Sequence, residues 1–271
     1  MTDGSRALRP QDERRIYDLG HPLHAGMPVS PNHPGFRMAL LRRHGDMVRA
    51  DGGSAANELL VLGGHTGTHL DALAHVSANG LLHGGVEAEG AQRGGRFSSL
   101  GVETVEPIVC RGVLLDVAGS FGVDELDPGT PITDADLDRA ADAQATRIEG
   151  AGAILIRSGW GRHWDGNADY LGMETGVPGP DISAAAWIRA AQPIVAAHDS
   201  MAFEVVPPGA GHALLPVHGA LLVDAGIHII ENIDLEALAR DRVYEFTFIC
   251  VPLPFVGATG SPVRPLALIP A

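Results

Sequence analysis

Seven consecutive residues, His65-Thr66-Gly67-Thr68-His69-Leu70-Asp71, restrict the fold of this chain more than any other stretch. In a helix, His65 and His69 would share a face while Asp71 pointed elsewhere, and Thr-Gly-Thr between them is a poor helix former. In a straight strand all three side chains share a face, but the two histidines stand about 13 Å apart. One metal ion needs its ligand atoms within about 2.0–2.2 Å of it. The chain must therefore bend, and Gly67 lies midway between the histidines. A strand that curls at Gly67 aims two imidazoles and a carboxylate at one point, so the spacing predicts a metal site at His65, His69 and Asp71. The alternative is a polar loop of unconnected histidines. Gly63 and Gly64 ahead of the run, with Gly67 inside it, favour the site. Asp71-Ala-Leu-Ala-His75 can form one helical turn that stacks His75 beside the metal, where an imidazole is suited to proton transfer.

Strand and helix signals interleave along the rest of the chain. Strands are expected at 16–19, at 57–63 (buried), at 107–117, 153–157, 193–197 and 227–230, and over 244–253. Helices are expected at 134–149, capped by Thr133 or Asp134 and stopped by Gly150, at 183–191 with a Ser cap, at 218–225 with Gly226 as the stop, and at 235–240 capped by Asp234. This is an α/β chain with a mixed sheet. With no internal repeat and no dividing linker, residues 16–271 read as a single domain behind a polar, frayed N-terminus at 1–15. The Gly-, Ser- and Ala-rich stretch 76–101 reads as a long, mobile excursion, and Pro22, Pro28, Pro31 and Pro34 exclude a regular element near the start.

Composition narrows the function. A formal charge of −14 argues against nucleic acid and against an anionic membrane surface, since both need a basic face. No apolar run approaches the ~20 residues of a membrane span. The start is polar, without a secretory leader. Cys110 and Cys250 both lie in apolar runs, which reads as two buried free thiols in a reducing compartment, the cytoplasm. The expected partner is a small-molecule substrate.

The histidine run, with His75 four residues on, resembles the signature H-x-G-T-H-x-D of the cyclase family, which includes bacterial kynurenine formamidases and isatin hydrolases. The resemblance extends over most of the chain: Gly20-His21-Pro22-Leu23 and Gly26-Met27-Pro28-Val29 at the start, Cys110 to Asp116 and Ile156 to Trp160 centrally, Glu231 to Leu235 and Ala258 to Pro265 at the end. It implies a swivelling β/β/α fold, an oligomeric assembly, and metal-dependent opening of an amide or lactam. It also implies that His65, His69 and Asp71 bind the metal and that His75 moves protons. In the formamidases a distant His and Glu join a second metal; the matching positions are His218 and Glu231, whereas isatin hydrolases resemble a one-metal version. Read by themselves, His218 is a ligand or a helix-start histidine, and Glu231 a ligand or the approach to the cap at Asp234. Many members have Pro where this chain has Leu73.

The residues suit Zn²⁺ or Mn²⁺, with Fe²⁺ also reasonable, one or two ions per subunit. His198, His212 and His228 read as structural or surface residues, Asp199 as a group orienting a ligand histidine, and Arg264 as a loop anchor. Trp160, Trp164 and Phe36 are the aromatic candidates for the substrate wall. The segments 22–34 and 76–101 offer surfaces for a homodimer or higher homo-oligomer. Two rivals to a hydrolase remain: a non-haem Fe(II) oxygenase using His69, Asp71 and His218, and a non-catalytic metal or small-molecule binding protein.

Overall fold

Ala153-Ile-Leu-Ile-Arg157 is apolar without alternation, as a strand covered on both faces must be. Ile154 and Ile156 enter one core cluster, Ala153 and Leu155 another on the opposite face. Each fully buried Leu or Ile contributes about 1.5–3 kcal/mol, so these short strands are held by what covers them. The computed structural model describes residues 14–166, 168–211 and 214–270. Residues 1–13 of the expected frayed segment, and His212, lie outside the described residues; Arg14 and Arg15 of that segment begin the first strand instead.

The principal strands are β1 (Arg14–Asp18), β2 (Arg37–Arg42), β3 (Asn57–Val61), β4 (His69–Asp71), β5 (Ile108–Asp116), β6 (Ala153–Arg157), β7 (Val195–His198), β8 (His228–Glu231), β9 (Glu245–Cys250), β10 (Gly260–Pro262) and β11 (Leu266–Pro270). Nine of them form one mixed sheet in the order β1-β11-β9-β5-β6-β7-β8-β4-β10. Strands β5 to β8 run parallel; β9, β11 and β1 on one flank, and β4 and β10 on the other, pair antiparallel. The chain is thus the single α/β domain that was expected.

Helices α1 (Asp134–Gln144), α2 (Ile182–Ala191) and α3 (Pro216–His218, widening into a π-helical turn through Ala225) connect successive parallel strands. Leu137, Ile188 and Leu221 from these helices pack with Ile154, Ile156 and Ile229 on one face of the sheet. Helix α4 (Glu236–Arg240) sends Leu238 to the other face. Thr133 and Asp136 form a reciprocal capping box at α1. That helix ends at Gln144, short of Gly150, because Ala145 turns left-handed (φ 50°) and Gln144 is diverted to bond the backbone of Leu114 and Asp116. Helix α2 is capped by Asp181, which accepts the N–H groups of Ser183 and Ala184, and not by Ser183.

Two further expectations are corrected. The stretch 76–101 is built rather than loose: Leu82, Ala88 and Ala91 bury a small core of their own with Phe97 and Leu100 against it, and Val223 O accepts from His83 Nδ1. The strand expected buried at 57–63 is β3, paired only with β2 in a hairpin whose residues are all exposed. Met38 is 61% exposed and Leu41 65%. Apolarity predicted burial there; the hairpin stands off the main sheet, and the described residues give it no cover.

Candidate metal centre

The bend occurs where the spacing requires it. Gly67 has φ +61°, a left-handed conformation that side chains rarely adopt, so the backbone itself calls for glycine at the bend. After the bend, β4 lies between β8 and β10. Its register sets His69 opposite Glu231 and Asp71 opposite Ile229, so His69, Asp71 and Glu231 share the helical face while Leu70 enters the opposite core. His218, in α3, arrives from above that face.

The four groups converge with His65. His65 Nδ1 is 2.7 Å from Asp71 Oδ1; His69 Nε2 is 3.5 Å from Asp71 Oδ1 and 3.4 Å from Glu231 Oε2. His218 Nε2 is 3.0 Å from Glu231 Oε1 and 3.8 Å from Asp71 Oδ2. They make two triads, His65–His69–Asp71 and Asp71–His218–Glu231, in each of which ligand atoms lie within 4.8 Å of one another. Asp71 belongs to both. It is fully buried, and its Oδ2 is a carboxylate oxygen with no hydrogen-bond partner. An unmatched buried anion is expensive, and nitrogen and carboxylate donors disposed around it are the set a divalent cation takes. The residues present fit such an ion.

Electrostatics agree. Burial opposes ionisation of Asp71, but the surrounding histidines and the His65 hydrogen bond outweigh it and hold the carboxyl well below its usual range. Burial pulls His65 down, yet the Asp71 charge and hydrogen bond leave it raised. Burial likewise opposes protonation of His218; hydrogen bonds with Glu204 and Glu231 reverse this and lift it to about 10.

His75 lies beside these triads, belonging to neither. Its ring centroid is 4.0 Å from that of His65 and 6.4 Å from that of His218. It is delivered by a tight turn, His75 N–H to Ala72 O, following a strand that ends at Asp71, and not by the helical turn expected for 71–75. Burial, reinforced by the charges of His65 and His218 against the pull of Asp71, lowers it to about 4, so its ring is neutral.

Several supporting residues escaped the sequence reading. Glu204 accepts from His218 Nδ1 at 2.6 Å and aims Nε2 at the triad. Its signal was a lone carboxylate in the apolar stretch 201–206. Thr259 Oγ1 is 2.9 Å from His65 Nε2, and His33 stacks on His65 at 5.1 Å. Asp199, expected to orient a ligand histidine, bonds none of His65, His69 and His218: it accepts from Ser158 N and Oγ and Gly159 N, holding the turn after β6. His198 is buried beside Ser200 Oγ, and His228 Nδ1 donates to Asp71 O. Arg264 pairs with Asp18 at the end of β1. Both cysteines are free.

A cavity of about 230 Å³ opens on the cluster, walled by Pro28, Val29, His33, Tyr170, Met201 and Leu215 among others. Trp160, Trp164 and Phe36 pack with Tyr170 in one cluster, and of these four it is Tyr170 that lines the cavity.

Known proteins resemble this chain in sequence and fold. An isatin hydrolase of Roseibium aggregatum is 26% identical over 227 residues, 82% of this chain and 78% of its own. The crystal structure of a novel cyclase superposes with a TM-score of 0.83 at 29% identity, covering 95% of this chain and 89% of its own. An isatin hydrolase bound to the product analogue thioisatinate has a TM-score of 0.71 at 23% identity, covering 96% and 94%, a likeness of fold. The Cyclase family, described as "Putative cyclase", matches residues 17–205, which takes in the histidine run, His75 and Glu204 but stops short of His218 and Glu231. With well over half of its length matched from β1 through β7, the chain belongs to the Cyclase family.

Proposed function

We propose that this chain is a metal-dependent hydrolase that opens an amide, a lactam or a related cyclic or aryl amide or ester. The observation that carries the reading is Asp71 Oδ2, buried, ionised and unpartnered where two ligand triads meet. His65, His69 and Asp71 would hold one divalent ion, and Asp71, His218 and Glu231 offer a place for a second. Mn²⁺ and Zn²⁺ suit these donors best, and Fe²⁺ is chemically compatible. When bound, such an ion polarises an acyl carbonyl and acidifies water.

The chain's own residues do the rest. His75, neutral and adjacent to His65 without completing either triad, accepts the proton of the attacking water and returns it to the leaving nitrogen. The apolar wall of Pro28, Val29, Met201 and Leu215 excludes bulk water and accepts a small, mainly apolar substrate. The similarity to an isatin hydrolase supports cleavage of a C–N acyl bond. An oxygenase with two histidines and one carboxylate fits less well, because Asp71 and Glu231 both face the cluster and the fold is mixed α/β rather than a barrel.

The hairpin β2–β3 supports a homodimer or higher homo-oligomer: both of its faces carry exposed apolar side chains, and a lone hairpin is marginal in water. The acidic charge supports a small-molecule partner rather than nucleic acid or an anionic bilayer. Among the described residues no helix is long and apolar enough to cross a membrane. We place the protein in the cytoplasm on its free thiols.

The test is a panel of apo protein with Mn²⁺, Zn²⁺ or Fe²⁺ against formamides, lactams and lactones, with oxygen uptake followed in parallel. Metal-dependent release of a carboxylate product is expected. Oxygen consumption, or no turnover with any pair, would overturn the reading.

A further inference from the structure

Gly67 turns the chain so that His69 faces the cluster, and something must hold that turn. Asn232, the residue after Glu231, holds it from both sides. Its side-chain Nδ2 donates to Gly67 O at 3.0 Å, and its backbone O accepts from Thr68 Oγ1. Its own N–H donates to Ser200 O at 3.0 Å. Asn232 adopts φ +54°, a left-handed conformation that Asn tolerates better than most residues.

The direction of each hydrogen bond follows from a chain of obligations. Gly67 O can only accept. His69 Nδ1 lies 2.8 Å from it and must therefore carry a proton. The amide edge of Asn232 beside the same oxygen must be its NH₂, since Oδ1 there would set one acceptor against another. That turns Oδ1 toward Tyr170, whose hydroxyl donates to it at 2.7 Å. Tyr170 is fully buried, and its indole neighbour Trp160 donates Nε1–H to Tyr170 O, fixing the ring's backbone in place. With Nδ1 protonated, the lone pair of His69 sits on Nε2, which faces Asp71 and Glu231.

We propose that Asn232, oriented by the Tyr170 hydroxyl, is the positioning residue that fixes His69 as its Nδ1–H tautomer and presents Nε2 to the metal. The inference rests on the reading of His69 as a ligand. It accounts for two buried polar side chains that contribute no atom to either triad, and for an orientation of the His69 ring that backbone pairing between strands β4 and β8 alone does not impose.

The test uses two variants of the whole chain. Asn232→Asp keeps the shape and the left-handed preference but sets an oxygen against Gly67 O. Tyr170→Phe removes one hydroxyl and keeps the packing, and it serves if the first variant folds poorly. Two quantities are measured: the Kd for Mn²⁺ or Zn²⁺ alone by competition with a chelating dye, and the ¹⁵N signals of the His69 ring without any ion. Asn232→Asp is expected to raise Kd about 10–100-fold, Tyr170→Phe by a smaller factor, and both to mix the two tautomers of His69. Wild-type Kd and a pure Nδ1–H signature in both variants would overturn the proposal, as would weakened binding with the tautomer unchanged. Failure of the metal reading would appear earlier and separately, as a wild-type chain that binds neither ion.

Discussion

Strand β4 and the hairpin β2–β3 invert the usual relation between polarity and burial. His69 and Asp71 of β4 are polar and buried, held between two neighbouring strands; Met38, Leu40, Leu59 and Leu60 of the hairpin are apolar and exposed. Hydropathy misreads both. Burying Asp71 is costly unless a cation answers it, and exposing a two-faced apolar hairpin is costly unless another surface covers it. Each region is incomplete by itself, and the proposed function supplies a partner for each: an ion for the first, a second copy for the second.

The largest expected effect removes the centre of the buried region. Asp71→Ala takes one ligand from both triads, so bound metal and measurable turnover should both disappear; full metal content with retained activity would break the contrast. His75→Ala should keep its metal and lose about 10²–10⁴-fold in kcat. Metal analysis beside the rate separates the alternatives: loss of metal would make His75 a ligand, and unchanged kinetics would remove it from the chemistry.

On the exposed side, Leu41→Glu combined with Leu60→Glu should turn a homo-oligomer into a monomer by light scattering while changing the stability of the isolated chain by only about 0.5 kcal/mol, the range typical of surface sites. A wild-type monomer at micromolar concentration would remove the partner from the comparison.

The smallest effect concerns a buried polar group outside the site. Burial lowers the pKa of His198 despite the opposing charge of Asp199. Below the unfolded value near 6.5, the unfolded chain takes up the proton first, so His198 contributes stability above that pH and loses it as the pH falls toward its folded pKa. The loss is at most about 1.4 kcal/mol per pH unit. Urea midpoints at pH 7.5 and 5.5 should therefore converge in His198→Asn relative to wild type; parallel shifts would contradict the assignment.

What the sequence revealed divides along physical lines. The bend at Gly67 was legible because two simple geometries failed, leaving one, and the parallel strands were legible as unbroken apolar runs. Sites of long-range origin were not. Glu204 meets His218 only after α3 folds back, Asn232 acts through a left-handed turn, and Tyr170 comes to the cavity from a short helical turn between β6 and α2. The hairpin was misread for a different reason: local apolarity reports what a strand wants to cover it, not whether its own chain supplies the cover. Helix ends failed where side chains intervened, as Gln144 does at the close of α1.

Anomalous X-ray diffraction from crystals of the whole chain grown with Mn²⁺ tests the central claim most directly. The account predicts a strong peak beside Asp71 Oδ2, among His65, His69, His218 and Glu231, with Nε2 of His69 as the coordinating nitrogen. A map with no peak there, or a Mn²⁺ ion bound elsewhere while Asp71 Oδ2 stays unpartnered, would contradict it.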